Sequence, residues 1–198
     1  MSKDILSATK GRTLLALNQK VSNFRIPITE VVSVPEILRN KRKISQILKI
    51  FRKLKINKLA IRSSSSKEDQ EDDSKAGVYK SFLNVPINNK KKIEYCINEI
   101  IRNFKIINKK TQKDEIIFQE MVKSVSSSGV AFTHDINNGA PYYIINYDDT
   151  TGLTNTVTSG SGKFSNKSLY IYRDDTRLLK SVRFIRLIEA IKELEKLL

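Results

Sequence analysis

The chain has 198 residues, a formal net charge of +15, one Cys, one His and no Trp, a length that allows one large domain or two small ones. It is 39% hydrophobic and 29% charged, with 7 Gly and 4 Pro, which excludes wholesale disorder and collagen-like repeats. A lone Cys96 cannot close an internal disulfide, and one Cys with one His cannot make a structural zinc site.

Residues 11–20 predict a helix, with Leu14, Leu17 and Val21 on one side. Residues 28–34 are rich in β-branched side chains and predict a strand, after which Pro35 suits the first turn of a further segment. Ile44, Ile47, Leu48, Phe51 and Leu54 recur at helical spacing. Leu59, Ala60 and Ile61 form a short apolar run ending in Arg62, read as a buried strand, and residues 63–73 are polar and acidic, read as a loop. A strand follows at 79–85. The clearest helical stripe in the chain is Ile93, Cys96, Ile97, Ile100, Ile101 and Phe104, which makes Cys96 a core residue and not a nucleophile. Strands are expected at 116–122, 129–133, 142–147 and 169–172. Asn137-Asn138-Gly139 is a hairpin signal between two of them, and it puts His134 at the surface or sheet edge. Phe184, Leu187, Ile188, Ile191, Leu194 and Leu198 give a last amphipathic helix, whose Glu189, Glu193 and Glu195 are expected to face solvent. Helices and strands mixed in this way, with hairpins in the second half, predict an α+β fold and not a doubly wound parallel sheet.

No apolar run approaches the ~20 residues of a membrane span. The opening Met1-Ser2-Lys3-Asp4 has no apolar export core, so a cytoplasmic location without a membrane partner is expected. The basic balance raises nucleic acid as a partner, but Lys and Arg are scattered and not gathered in one stripe, which argues for a solvated basic surface.

Chemistry concentrates around Arg62. An Arg at a strand end is a fixed cation that can fork onto phosphate oxygens, and a small-residue loop with Gly77 lets backbone amides approach an anion. The competing reading pairs Arg62 with Glu68 or Asp69. The stretch Ile61-Arg62-Ser63-Ser64, the acidic pair Glu68-Asp69, Ser74-Lys75-Ala76-Gly77 and Leu83-Asn84-Val85 resemble the N-terminal ATP-binding domain of the phosphoenolpyruvate synthase and pyruvate phosphate dikinase family. Lys10-Gly11, Gln119-Glu120-Met121-Val122, and Ser128-Gly129-Val130-Ala131-Phe132-Thr133 with Asp135 resemble further motifs of that family, in the same order. Gly152-Leu153 and Gly160 fall in its later glycine region, although Thr154-Asn155 replaces the usual Gly-Glu. Ser159-Gly160-Ser161-Gly162-Lys163 imitates a P-loop, but its spacing fails and Phe164 follows the lysine. Residues 142–149 are similar to the family branch that includes glutamine kinases.

The resemblance implies an ATP-grasp-type α+β domain over 1–198, with mixed or antiparallel sheets and flanking helices, and with 1–110 and 111–198 as candidate subdomains. It implies that Lys10 and Arg62 contact ATP phosphates, that Gly77 and Ser81 belong to a flap over the triphosphate, and that Gln119 with the backbone of Met121 and Val122 lies along the adenine. Mg2+ is expected of the family. Its acids belong beyond a helix like the one that closes this chain, so the chain is expected to be C-terminally truncated and no metal ligand is assigned. Asp148 and Asp149 are adjacent on a strand and point to opposite faces, poor geometry for one shared ion. The implied function is ATP binding in a phosphotransferase that acts on a small acceptor such as L-glutamine or pyruvate. Missing C-terminal domains would work in cis or on a separate chain, and this chain alone is not expected to turn over ATP. The alternative is a non-catalytic nucleotide-binding or regulatory remnant.

Overall fold

The structure, a computed structural model, describes residues 9–65, 79–107, 113–159 and 167–198. They fall into two compact units. The first takes the described residues of Met1–Lys20 and Arg25–Met121, and the second takes Val21–Phe24 and Val122–Leu197.

In the first unit, β1 (Thr29–Ser33), β2 (Lys58–Ser64), β3 (Ser81–Pro86) and β4 (Glu115–Glu120) form one antiparallel sheet in the order β1-β4-β2-β3. Its helices are α1 (Lys10–Asn18), α2 (Val34–Arg39), α3 (Arg42–Lys53) and α4 (Lys90–Ile107). The two-residue period of the strands puts Val32, Leu59, Ile61, Val85, Ile116 and Phe118 on one face. There they join Ile47, Leu48 and Phe51 of α3 and Ile93, Cys96, Ile97, Ile100 and Phe104 of α4 in one core. Each such side chain contributes about 1.5–3 kcal/mol by leaving water. Local chemistry sets the helix starts. Ser33 caps α2 by accepting from Glu36 N, with Pro35 in the first turn, and Asn89 Oδ1 accepts from Lys92 N at the start of α4.

The other face of the sheet carries Val31 and Ile117, and α1 lies against them. A Cβ on Gly11 would sit 2.9 Å from Val31 Cγ1 and 3.3 Å from Ile117 Cγ1, so this close approach depends on the missing side chain.

In the second unit, β5 (Ser128–Phe132), β6 (Tyr142–Asp148) and β7 (Lys167–Tyr172) form an antiparallel meander. A single helical turn, α5 (Thr156–Ser159), a 3-10 turn (Thr176–Leu178) and α6 (Val182–Leu197) complete it. Tyr143, Ile145 and Ile171 pack against Phe184, Ile188 and Ile191 of α6. The β5–β6 connection turns at Gly139, whose φ of 72° is the left-handed conformation the Asn-Asn-Gly signal implies. His134 is exposed there and Cys96 is fully buried, both as the sequence indicated. No helix among the described residues is long and apolar enough to cross a membrane.

The fold is α+β with antiparallel sheets, and two local expectations are corrected. Ser63 and Ser64, read as loop, continue β2 and are buried. Their hydroxyls find partners inside the fold: Ser63 Oγ donates to Lys80 O at 3.1 Å, and Ser64 Oγ accepts from Gly11 N at 3.0 Å. Ser65 follows them and is buried too, and the remainder of that expected loop, 66–73, lies outside the described residues. Glu193 and Glu195 do not simply face solvent. Glu193 accepts from Ser22 N, Ser22 Oγ and Asn23 N, which ties residues 21–24 into the second unit. Glu195 pairs with Arg173 at 2.6 Å and accepts from Tyr143 Oη at 3.1 Å, while the Arg173 guanidinium lies 4.5 Å from the Tyr143 ring centre.

Candidate functional site

Three of the side chains singled out in the sequence come together through strand register. Arg62 on β2 pairs with Ile117 on one side and Ser81 of β3 on the other. Gln119 on β4 pairs with Ala60 of β2 and Thr29 of β1. Arg62, Ser81 and Gln119 therefore share the face opposite the core, the face on which α1 lies. Directly paired residues sit about 4.5–5.5 Å apart. Two positions along a strand add roughly 7 Å. Arg62 and Ser81 are thus immediate neighbours, and Gln119 stands one row further along. Arg62 and Ser81 are exposed, and no ion pair with Arg62 is made among the described residues. The Gln119 amide is fixed by donating from Nε2 to Thr29 Oγ1 at 2.9 Å. Lys10 begins α1, one residue before the Gly11 that contacts Ile117, so its backbone lies beside the row that carries Arg62.

The remaining candidates are placed differently. Met121 is buried at the end of β4, and its N–H donates to Lys58 O at 3.1 Å, so that amide is occupied within the sheet. Val122 is the first residue of the second unit after the crossing and is exposed. Gly77 lies outside the described residues, as do Glu68, Asp69 and the Gly160–Lys163 part of the P-loop-like stretch.

The sequence reading missed Glu115 and gave Ser64 no role beyond its place in the Arg62 motif. Glu115 is buried at the start of β4, where it accepts from Thr9 Oγ1 and, at 2.7 Å, from Arg12 Nε. The only signal was an acid immediately before an apolar strand, which reads equally well as a solvated loop end. A cavity of about 640 Å3 lies among α2, α3 and α4, lined by Ile37, Leu48, Ile93 and Ile97, and none of the candidate ligand residues reaches it.

Among the described residues, no group of three or more His, Cys, Asp or Glu could hold a metal ion. Asp148 and Asp149 have other work. Hydrogen bonds from the Thr151 hydroxyl and the Thr150 and Thr151 amides hold the Asp148 carboxyl well below the usual carboxylate range. Bonds from Lys167 and Arg183 lower Asp149 as well. Both carboxylates are thus engaged within the fold, and no magnesium ligand is assigned among the described residues.

A basic, exposed arginine and a hydroxyl side by side, with a fixed amide one row away and a lysine at an adjoining helix start, can take a polyanion attached to a flat polar ring. The pyruvate phosphate dikinase AMP/ATP-binding domain family matches residues 3–186. A comparison with curated proteins gave no match.

Proposed function

Because the chain belongs to the pyruvate phosphate dikinase AMP/ATP-binding domain family, we propose that the α1-bearing face of its four-stranded sheet holds ATP as a phosphoryl donor. The family supports adenine nucleotide binding and the general kind of activity, ATP-dependent phosphotransfer. The observation that carries the finer reading is the register that gathers Arg62, Ser81 and Gln119 on one face, with Lys10 at its border.

Each residue has a role suited to its chemistry. Arg62 forks onto phosphate oxygens, and Lys10 adds a compact positive charge. The Ser81 hydroxyl donates to the same phosphates. Gln119 presents an amide edge along the adenine, with the Met121 carbonyl and the Val122 backbone beyond it. Phosphoryl transfer relies on positioning and on neutralising charge, and these cations supply part of both. The acceptor in this reading is a small molecule such as L-glutamine or pyruvate.

The test is calorimetric titration with ATP. Arg62→Ala should weaken binding by about 1.5–3 kcal/mol, the worth of charge-assisted hydrogen bonds. Equal affinity in wild type and variant removes Arg62 from the site. ATP consumption measured with pyruvate or L-glutamine separates a donor site from one that binds without turnover.

A further inference from the structure

We propose that Glu115 is a positioning residue, which acts with Ser64 to hold the first turn of α1 against the sheet so that Lys10 is delivered to the side of Arg62. Glu115 and Ser64 are directly paired across β4 and β2, on the face that carries Arg62. Ser64 is two positions along β2 from Arg62, so this pair forms the next row, roughly 7 Å away.

Both residues reach the start of α1, and every bond lands within two residues of Lys10. Thr9, the residue before it, donates its hydroxyl to Glu115. Gly11, the residue after it, donates its amide to Ser64 Oγ at 3.0 Å. Arg12 donates from Nε to Glu115 at 2.7 Å. The Lys10 backbone is thus fixed on both sides, and Gly11 presses on Val31 and Ile117 beneath it.

The same bonds decide what α1 can offer a ligand. A bare helix start would present amides to a phosphate. Here Gly11 N is taken by Ser64, Arg12 N by Thr9 Oγ1 and Thr13 N by Thr9 O. Three amides of this turn are therefore engaged within the fold. A buried carboxylate is costly unless fully bonded, and an apolar residue would close a sheet end as well. What the carboxylate adds here is directed bonds to Thr9 and Arg12.

This inference rests on the reading of Lys10 as a phosphate contact, and the experiment keeps the two apart. ATP affinity is measured by calorimetry for wild type, Lys10→Ala, Glu115→Gln, and Glu115→Gln combined with Lys10→Ala or with Arg62→Ala. Glu115→Gln alone should weaken binding by roughly fivefold to tenfold, a coupling typical of contacting residues. It should cost nothing more in the Lys10→Ala background and its full factor in the Arg62→Ala background. Loss of a merely structural support would cost the same in both.

Wild-type affinity in Glu115→Gln, or an equal loss in both backgrounds, overturns the inference while leaving the ATP reading intact. No ATP binding by wild type overturns both, and full affinity in Lys10→Ala overturns the inference together with the Lys10 contact on which it rests. Should Glu115→Gln fold poorly, Arg12→Ala removes one of the bonds from a side chain that is 56% exposed. It should show a smaller loss with the same dependence on Lys10, and no loss overturns the inference.

Discussion

Gly129→Ala should unfasten β5 from β6. Gly129 pairs with Tyr147, and a Cβ there would lie 2.3 Å from Asn146 O and 3.0 Å from Tyr147 Cα. A carbon usually approaches a carbonyl oxygen no closer than about 3.3 Å. The strand must therefore retreat by about 1 Å, because the obstacle is backbone and cannot rotate aside. That movement takes ladder bonds out of hydrogen-bonding range. Two lost bonds at about 1 kcal/mol each, with about 1–3 kcal/mol of overpacking, give about 3–5 kcal/mol. The stabilisation alanine brings by restricting the unfolded chain, about 0.4–1 kcal/mol, does not reverse the sign. At about 2–4 °C per kcal/mol, the melting temperature should fall by about 6–20 °C. Tyrosine fluorescence is a selective probe. Of seven tyrosines, Tyr142, Tyr143, Tyr147, Tyr170 and Tyr172 lie on β6 and β7, there is no tryptophan, and only Tyr79 and Tyr95 belong to the first unit. A urea or thermal midpoint equal to wild type in this signal would refute the close approach and the β5–β6 register with it.

Other outcomes follow from the same geometry. Phe104→Ala, at a fully buried position of α4, should destabilise the first unit by about 3–5 kcal/mol in urea unfolding followed by far-UV circular dichroism. The Asp148 carboxyl is held low by Thr151 and Thr150, so the stability it contributes is present above its unfolded pKa and is lost as pH falls below the usual carboxylate range. Asp148→Asn should be less stable at neutral pH and should show a flatter acid limb; an unchanged acid limb counts against those bonds. Burial, and then the Glu195 carboxylate, push the Tyr143 phenol up, so its stabilising effect holds below pH 10 and is lost as pH rises through the raised value. Glu195→Gln should bring the phenolate absorbance transition part-way down, and no shift would mean that Glu195 does not act on it. Arg173→Ala removes the Arg173 bonds to Thr133 O and to Glu195, which keeps the Tyr143 hydroxyl, and should cost about 1.5–3 kcal/mol by thermal unfolding.

The α4 stripe was legible in the sequence because a single period runs through it, and so were the apolar run of β6 and the turn at Gly139. The extent of β2 was not. Ser63 and Ser64 look like loop residues until Lys80 O and Gly11 N supply distant partners for their hydroxyls. Arg62, Ser81 and Gln119 could each be singled out, but their sharing of one face depends on the order β1-β4-β2-β3 and on the register between strands far apart in the chain. Glu115 was invisible for the same reason. Its partners Thr9 and Arg12 are more than a hundred positions away, and nothing local marks a carboxylate as buried. The boundary at Met121/Val122 also comes from pairing, since β4 has a neighbour on each edge and draws residues 113–121 into the first unit.

The strand that comes last in the first unit, β4, is the one between β1 and β2. During synthesis β2 can meet β3 early, across a short separation, but β1 has no partner in its sheet until residues 115–120 have emerged. Closing that long loop is the slow, non-local event in folding this unit. α1 waits on the same step, because Gly11 needs Ile117 beneath it and Thr9 needs Glu115. Lys10 therefore reaches the side of Arg62 only when β4 inserts. On the proposed reading of Lys10 as a phosphate contact, recovery of nucleotide binding during refolding should coincide with that final strand insertion, later than the pairing of β2 with β3.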